Sequence, residues 1–82
     1  MELNETIDLM LSDNRKERLK AEYWQTKYRM EKLNAYIAKL NAGQEADVDD
    51  SADVLKAQSQ AMQEYLYFLE VRMQMYGFLP AN

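Results

Sequence analysis

The sequence predicts an all-α protein: an antiparallel two-helix hairpin with a short N-terminal helix, assembling into a helical oligomer. Two long segments, 14–42 and 51–76, carry apolar residues at helical spacing and contain neither Gly nor Pro. A short acidic stretch beginning at Gly43 separates them, a length that suits antiparallel neighbours. The chain has 82 residues, no Cys and no His, so neither a disulfide nor a zinc site can stabilise so small a core. Association with further copies is the remaining route.

The whole of 1–82 reads as one domain, whose first element is a short helix over 3–12. Leu3, Ile7, Met10 and Leu11 fall on one side of it, Asn4 is placed to cap it, and the piece reads as a lid or clasp. Ser12-Asp13-Asn14 breaks the pattern, and Asn14 with Glu17 resembles a capping box that opens a long helix over 14–42. Along that helix Leu19, Tyr23, Thr26, Met30, Leu33, Ile37 and Leu40 alternate steps of four and three, a heptad seam that calls for a partner helix. Asn41-Ala42-Gly43 is its stop, and 43–50 is an acidic turn.

Asp50 or Ser51 caps the last helix, 51–76, with Asp53 in its first turn. Its seam is Leu55, Met62, Tyr65, Leu69 and Tyr76, widened by Leu66 and Met73; Gly77 and Pro80 end it and leave a tail, 77–82. A second apolar line, Val54, Ala61, Phe68 and Met75 with Val71 beside it, repeats every seven residues on another side. One partner helix cannot cover both lines, so the second is expected to meet another subunit. The alternative is that the N-terminal helix folds over it, giving a monomeric three-helix unit.

Function classes narrow on what the chain lacks. Without Cys or His there is no thiolate nucleophile and no side chain that ordinarily titrates near neutrality. Ser12, Ser51 and Ser59 sit in no nucleophile elbow, and two glycines, Gly43 and Gly77, cannot build a phosphate loop. A non-enzymatic protein without cofactor or metal is expected. The Asp47–Asp53 stretch fails as a calcium loop, because Ala52 stands where Gly is needed and Gln58 where a bidentate Glu is needed. The opening residues lack a signal peptide's basic start and apolar core, and no run is long enough to span a membrane, so a cytoplasmic protein is expected.

Charge is uneven. Residues 15–42 carry eight bases against three acids, whereas 1–14 carry four acids and 43–53 five, with no base in either. Within the basic helix a positive end, Arg15, Lys16, Arg18 and Lys20, leads into Tyr23, Trp24, Lys27, Tyr28 and Arg29, so that cations and rings alternate, a combination able to hold phosphates and stack bases. The plainer reading is a solvated face laced by Arg18–Glu22 and Lys27–Glu31 pairs, with Tyr23 in the seam. Trp24 lies off the seam and needs cover, from a subunit interface or from a ligand base. Arg72, among Leu69, Met73 and Tyr76, is either a structural ion-pair partner or a residue reaching into an inter-subunit pocket. The acidic total disfavours nucleic acid as partner.

The run Glu17-Arg18-Leu19-Lys20-Ala21-Glu22-Tyr23-Trp24-Gln25-Thr26-Lys27-Tyr28-Arg29-Met30-Glu31-Lys32-Leu33 resembles an ERxKAEYxQxKxRxxKL segment of small helical-hairpin proteins of phages and prophages of gut bacteria, including relatives in crAss-like phages. Leu55, Gln58, Met62, Tyr65-Leu66, Leu69-Glu70 and Arg72 are similar to that family's second pattern, so the resemblance covers most of 15–77. The link before Asp50 lacks the usual aromatic or proline, and Tyr76-Gly77-Phe78 matches only loosely. More distantly, such proteins resemble the hairpin sponges that counter the CBASS and Thoeris defences, which assemble as oligomers and sequester cyclic nucleotide signals uncleaved. The resemblance implies a homo-oligomeric sponge for a cyclic nucleotide or related phosphate-bearing signal, acting in the bacterial host's cytoplasm. No binding residue is carried over from those sponges. The alternative is a helical adaptor or inhibitor that lays one face on a host protein.

Overall fold

The computed structural model describes residues 1–43 and 52–80. Among them all regular structure is helical: a 3-10 turn Leu3–Glu5, α1 (Thr6–Met10), α2 (Arg15–Asn41) and α3 (Ala52–Met75). The acidic turn after Gly43 and the Asp50 or Ser51 cap lie outside the described residues.

Asn14 starts α2 by staying extended and accepting the Lys16 amide on its side-chain oxygen at 2.8 Å. At the other end Gly43 adopts φ 72°, a left-handed conformation that costs glycine little. α3 closes with a Schellman motif. Gly77, at φ 84°, donates to the Gln74 carbonyl, and the Phe78 amide reaches back to the Met73 carbonyl, both at 3.0 Å. That double bond turns Phe78 inward against the core.

The long helices pack as a hairpin. Tyr23 meets Glu70 near one end and Asn34 meets Ser59 toward the other, so one helix descends as the other rises. Leu19 and Tyr23 of α2 interlock with Leu66, Leu69 and Met73 of α3, and Trp24, Met30, Tyr76 and Phe78 close around them. Ile37 and Leu55 are buried at the far end. Tyr65, read from sequence as part of the seam, is instead 44% exposed, because its ring stands at the edge of the hairpin and its hydroxyl donates to Glu22 at 3.0 Å.

The N-terminal piece differs from the amphipathic lid read from sequence. No Asn4 cap bond forms, and Leu3, Ile7, Met10 and Leu11 are exposed while Thr6 is buried. Polar contacts set this orientation. The Thr6 hydroxyl donates to the Leu3 carbonyl at 2.6 Å and accepts from the Gln25 amide at 2.9 Å, which pins α1 to α2. Because α1 packs on α2 and makes no contact with α3, it does not cover the second apolar line. Val54, Phe68 and Met75 stay 65, 60 and 80% exposed.

Candidate functional site

Helical periodicity divides the cations of α2 between two flanks of the hairpin. Steps of four and three place Lys20, Trp24 and Lys27 on one side, while Arg15, Arg18, Glu22 and Arg29 line the other.

On the first flank the cation already has partners. The Lys27 ammonium lies 5.8 Å from the Tyr23 ring centre and 5.2 Å from that of Trp24, and the two rings meet edge to face at 5.3 Å. Trp24 is half-buried against the core, and its indole nitrogen is buried without a hydrogen-bond partner. The cover that the sequence demanded for Trp24 therefore comes from the chain itself. Tyr23 is buried at the helix interface and donates to Glu70 at 3.0 Å; burial first, then that carboxylate, pushes its phenol up to about 12. One turn beyond Trp24, Tyr28 has the Lys32 ammonium 5.4 Å from its ring.

The second flank forms a cleft. Arg15, Arg18, Leu19 and Glu22 of α2 face Arg72 of α3 and Tyr76 around an open groove of about 340 Å³. Its guanidiniums contact neutral groups, with one carboxylate, Glu22, in the same wall. Arg18 donates to the Ser12 carbonyl at 3.0 Å, and Arg15 and Arg72 approach the Tyr76 hydroxyl. Arg15 foremost, with Arg72 adding to it, lowers the Tyr76 phenol below its ordinary value. Glu22, the acid in the cleft wall, accepts from the Tyr65 hydroxyl. Burial and that carboxylate raise Tyr65, while the charges of Arg72 and Arg29 pull it down, which locates Arg29 on this side too.

A phosphate oxygen is a far better acceptor for a guanidinium than a carbonyl or a phenol, so these arginines hold unspent capacity for an anion. The Leu19 side chain and the Tyr76 ring supply apolar wall beside it.

Of the residues singled out in the sequence, the fold brings Tyr23, Trp24 and Lys27 together, with Lys20 one turn away on their flank. It sets Arg29 and Arg72 across the hairpin from them, and Tyr28, one turn beyond Trp24, has Lys32 over its ring. Arg15 and Arg18 belong to the basic run read from the sequence, but their grouping with Glu22, Arg72 and Tyr76 was not singled out. Their signal was the three-four spacing of Arg15, Arg18 and Glu22 and the four-residue step from Arg72 to Tyr76, legible only once the helices are known to be antiparallel.

The profile of the Sequestin family matches residues 13–75. The chain belongs to the Sequestin family. The match takes in α2 and α3 whole and leaves α1 outside, so the Sequestin unit is the hairpin that carries the cleft arginines, with Tyr76 one residue beyond its end. The name Sequestin describes sequestering, a binding role rather than a catalytic one. No curated protein and no solved structure matches the chain. Among the described residues no helix is long and apolar enough to cross a membrane, and no cluster of acids forms a metal site.

Proposed function

We propose that this Sequestin-family chain sequesters a cyclic nucleotide or related phosphate-bearing immune signal, holding it without turnover as the phage sponge proteins it resembles do. The observation that carries the reading is the convergence of Arg15, Arg18 and Arg72 on one cleft, three guanidiniums against the single carboxylate of Glu22, with a carbonyl and a phenol as their contacts. A phosphate entering there replaces neutral acceptors with charge-assisted bonds of about 1.5–3 kcal/mol each, and Tyr76 lies beside it for a base or sugar to pack upon. Such a protein acts where the signal is made, in the cytoplasm of the bacterial host.

Native mass spectrometry of the full chain with a panel of cyclic dinucleotides, cyclic trinucleotides and cyclic ADP-ribose isomers tests this directly. The expected result is retention of one panel member, recovered chemically unchanged after denaturation. Recovery of a cleaved product would overturn sequestration. No retained mass across the panel would overturn the nucleotide reading and favour a second one, an adaptor laid on a host protein through the exposed apolar face of α3.

A further inference from the structure

We infer that Glu22, held in the cleft wall by Tyr65, sets the specificity of the cleft: its carboxylate favours phosphates that carry a single charge and works against doubly charged terminal phosphates. The inference rests on the reading of the cleft as a phosphate site and deepens it.

In a groove that only attracts anions a carboxylate is a liability, because it cancels part of the attraction and competes with the ligand for guanidinium donors. Glu22 nevertheless stands in one wall with Arg15, Arg18 and Arg72. Its place on α2 exposes it to whatever those arginines hold. It lies four residues beyond Arg18 and seven beyond Arg15 on the same face, so phosphate on Arg18 sits about one turn away, roughly 6 Å.

The carboxylate is also kept from the partner that a helix surface ordinarily offers it. Arginine and glutamate four residues apart can pair across one turn. Here Arg18 donates to the Ser12 carbonyl and Glu22 accepts from the Tyr65 hydroxyl, each at 3.0 Å. Tyr65 is thus a positioning residue. Reaching across from α3, its phenol anchors the acid and leaves the Arg18 donors to an anion.

Fixed charges at these separations discriminate between ligands. At roughly 6 Å, with a dielectric response between that of a protein surface and that of water, each negative charge on bound phosphate loses about tenfold in affinity to Glu22. A phosphodiester carries one charge per phosphorus, whereas a terminal phosphomonoester carries about 1.5–2 at neutral pH. Cyclic signals hold only the first kind. The mononucleotides that compete with them end in the second kind, so the acid penalises the competitors more than the signal.

Adenosine 5′-monophosphate and its methyl ester are the probes, because they share base and sugar and differ by one phosphate charge above the second ionisation near about 6. Calorimetric titration of the full chain at about pH 8 measures both. Glu22→Gln keeps the side-chain length and an oxygen for the Tyr65 hydroxyl. It should tighten the monophosphate roughly 100-fold and the ester roughly tenfold, moving the ratio of the two affinities by about tenfold. Tyr65→Phe should weaken both probes by freeing Glu22 to pair with Arg18, and should change neither once Glu22 is replaced by Gln. A ratio that Glu22→Gln leaves unchanged would overturn the inference, with the phosphate reading still standing. Weakening by Tyr65→Phe that persists without the carboxylate would overturn the positioning role. Failure of wild type and both variants to hold either probe would overturn the phosphate cleft itself.

Discussion

The two flanks of α2 carry similar formal charge and differ in what that charge already does. Lys27 sits over the rings of Tyr23 and Trp24, both of which pack with the core, so its cation helps hold the hairpin together. Across the helix, Arg15 and Arg18 meet Arg72 from the other end of the chain around a cleft, where they contact neutral acceptors and outnumber the one carboxylate, Glu22. A basic helix in a sequence is thus two elements in the fold, one structural and one available. The chemistry of the cation matters as well. A lysine ammonium over a ring is a point charge at rest, whereas a guanidinium fork on a carbonyl or phenol keeps donors for a planar anion.

The largest effect expected from breaking this contrast is the loss of ligand by the Arg15→Ala, Arg72→Ala double variant. Two charge-assisted bonds at about 1.5–3 kcal/mol each correspond to a fall of roughly 100-fold or more in affinity. Isothermal titration with whichever signal binds the wild type measures it, and full retained affinity would remove the cleft from consideration. Arg72→Lys should recover only part of the loss, because an ammonium cannot present the bidentate fork.

Next in size is a change to the scaffold both flanks share. Leu69 is 1% exposed at the centre of the core cluster, so Leu69→Ala should cost about 2–5 kcal/mol in urea unfolding. If unfolding stayed within error of wild type, the hairpin interface would not be the source of stability.

The hairpin itself was legible in the sequence because it follows from periodicity. Leu19, Tyr23, Thr26 and Ile37 are buried on α2, and Leu55, Leu66, Leu69 and Met73 on α3, at the spacing of a seam. The orientation of α1 was not legible. It depends on Gln25 reaching Thr6 from nineteen residues away, a polar contact that no apolar pattern encodes. The cleft was hidden for a related reason. Arg72 and Tyr76 acquire meaning only beside Arg15 and Arg18, and the pairing register that joins them is a property of the packed helices. Trp24, for which the sequence offered a subunit interface or a ligand base as cover, packs within the chain against Tyr23, Lys27 and the core.

The tyrosines give a pH test of the same division. The fold raises Tyr23 from 10.0 to about 12 and raises Tyr65 as well, so it favours their neutral forms. The stability they contribute is in place below the unfolded value and disappears as pH rises through the folded one, for Tyr23 between 10.0 and about 12. Tyr76 has the opposite sign. Its lowered phenol favours the ionised form, so its contribution is present above 10.0 and is lost as pH falls through the folded value. Urea midpoints of Tyr23→Phe and wild type should therefore converge as the medium becomes strongly alkaline; a gap that widens there would refute the assigned direction. Ligand in the cleft should draw Arg15 and Arg72 from Tyr76 and raise its phenol, visible as a shift in the ultraviolet titration.

The smallest effect is the most pointed about the two flanks. Lys27→Ala removes the cation over Tyr23 and Trp24, an interaction worth about 0.5–1 kcal/mol, and should lower stability by that amount. Ligand affinity should stay within about twofold, because Lys27 does not line the cleft and its charge acts there only through solvent, where salt screens it over about 8–10 Å. Parallel urea unfolding and calorimetric titration of this variant resolve the two quantities. A large loss of affinity with stability intact would move the site to the Lys20, Trp24 and Lys27 flank and leave the arginine cleft as ordinary basic surface.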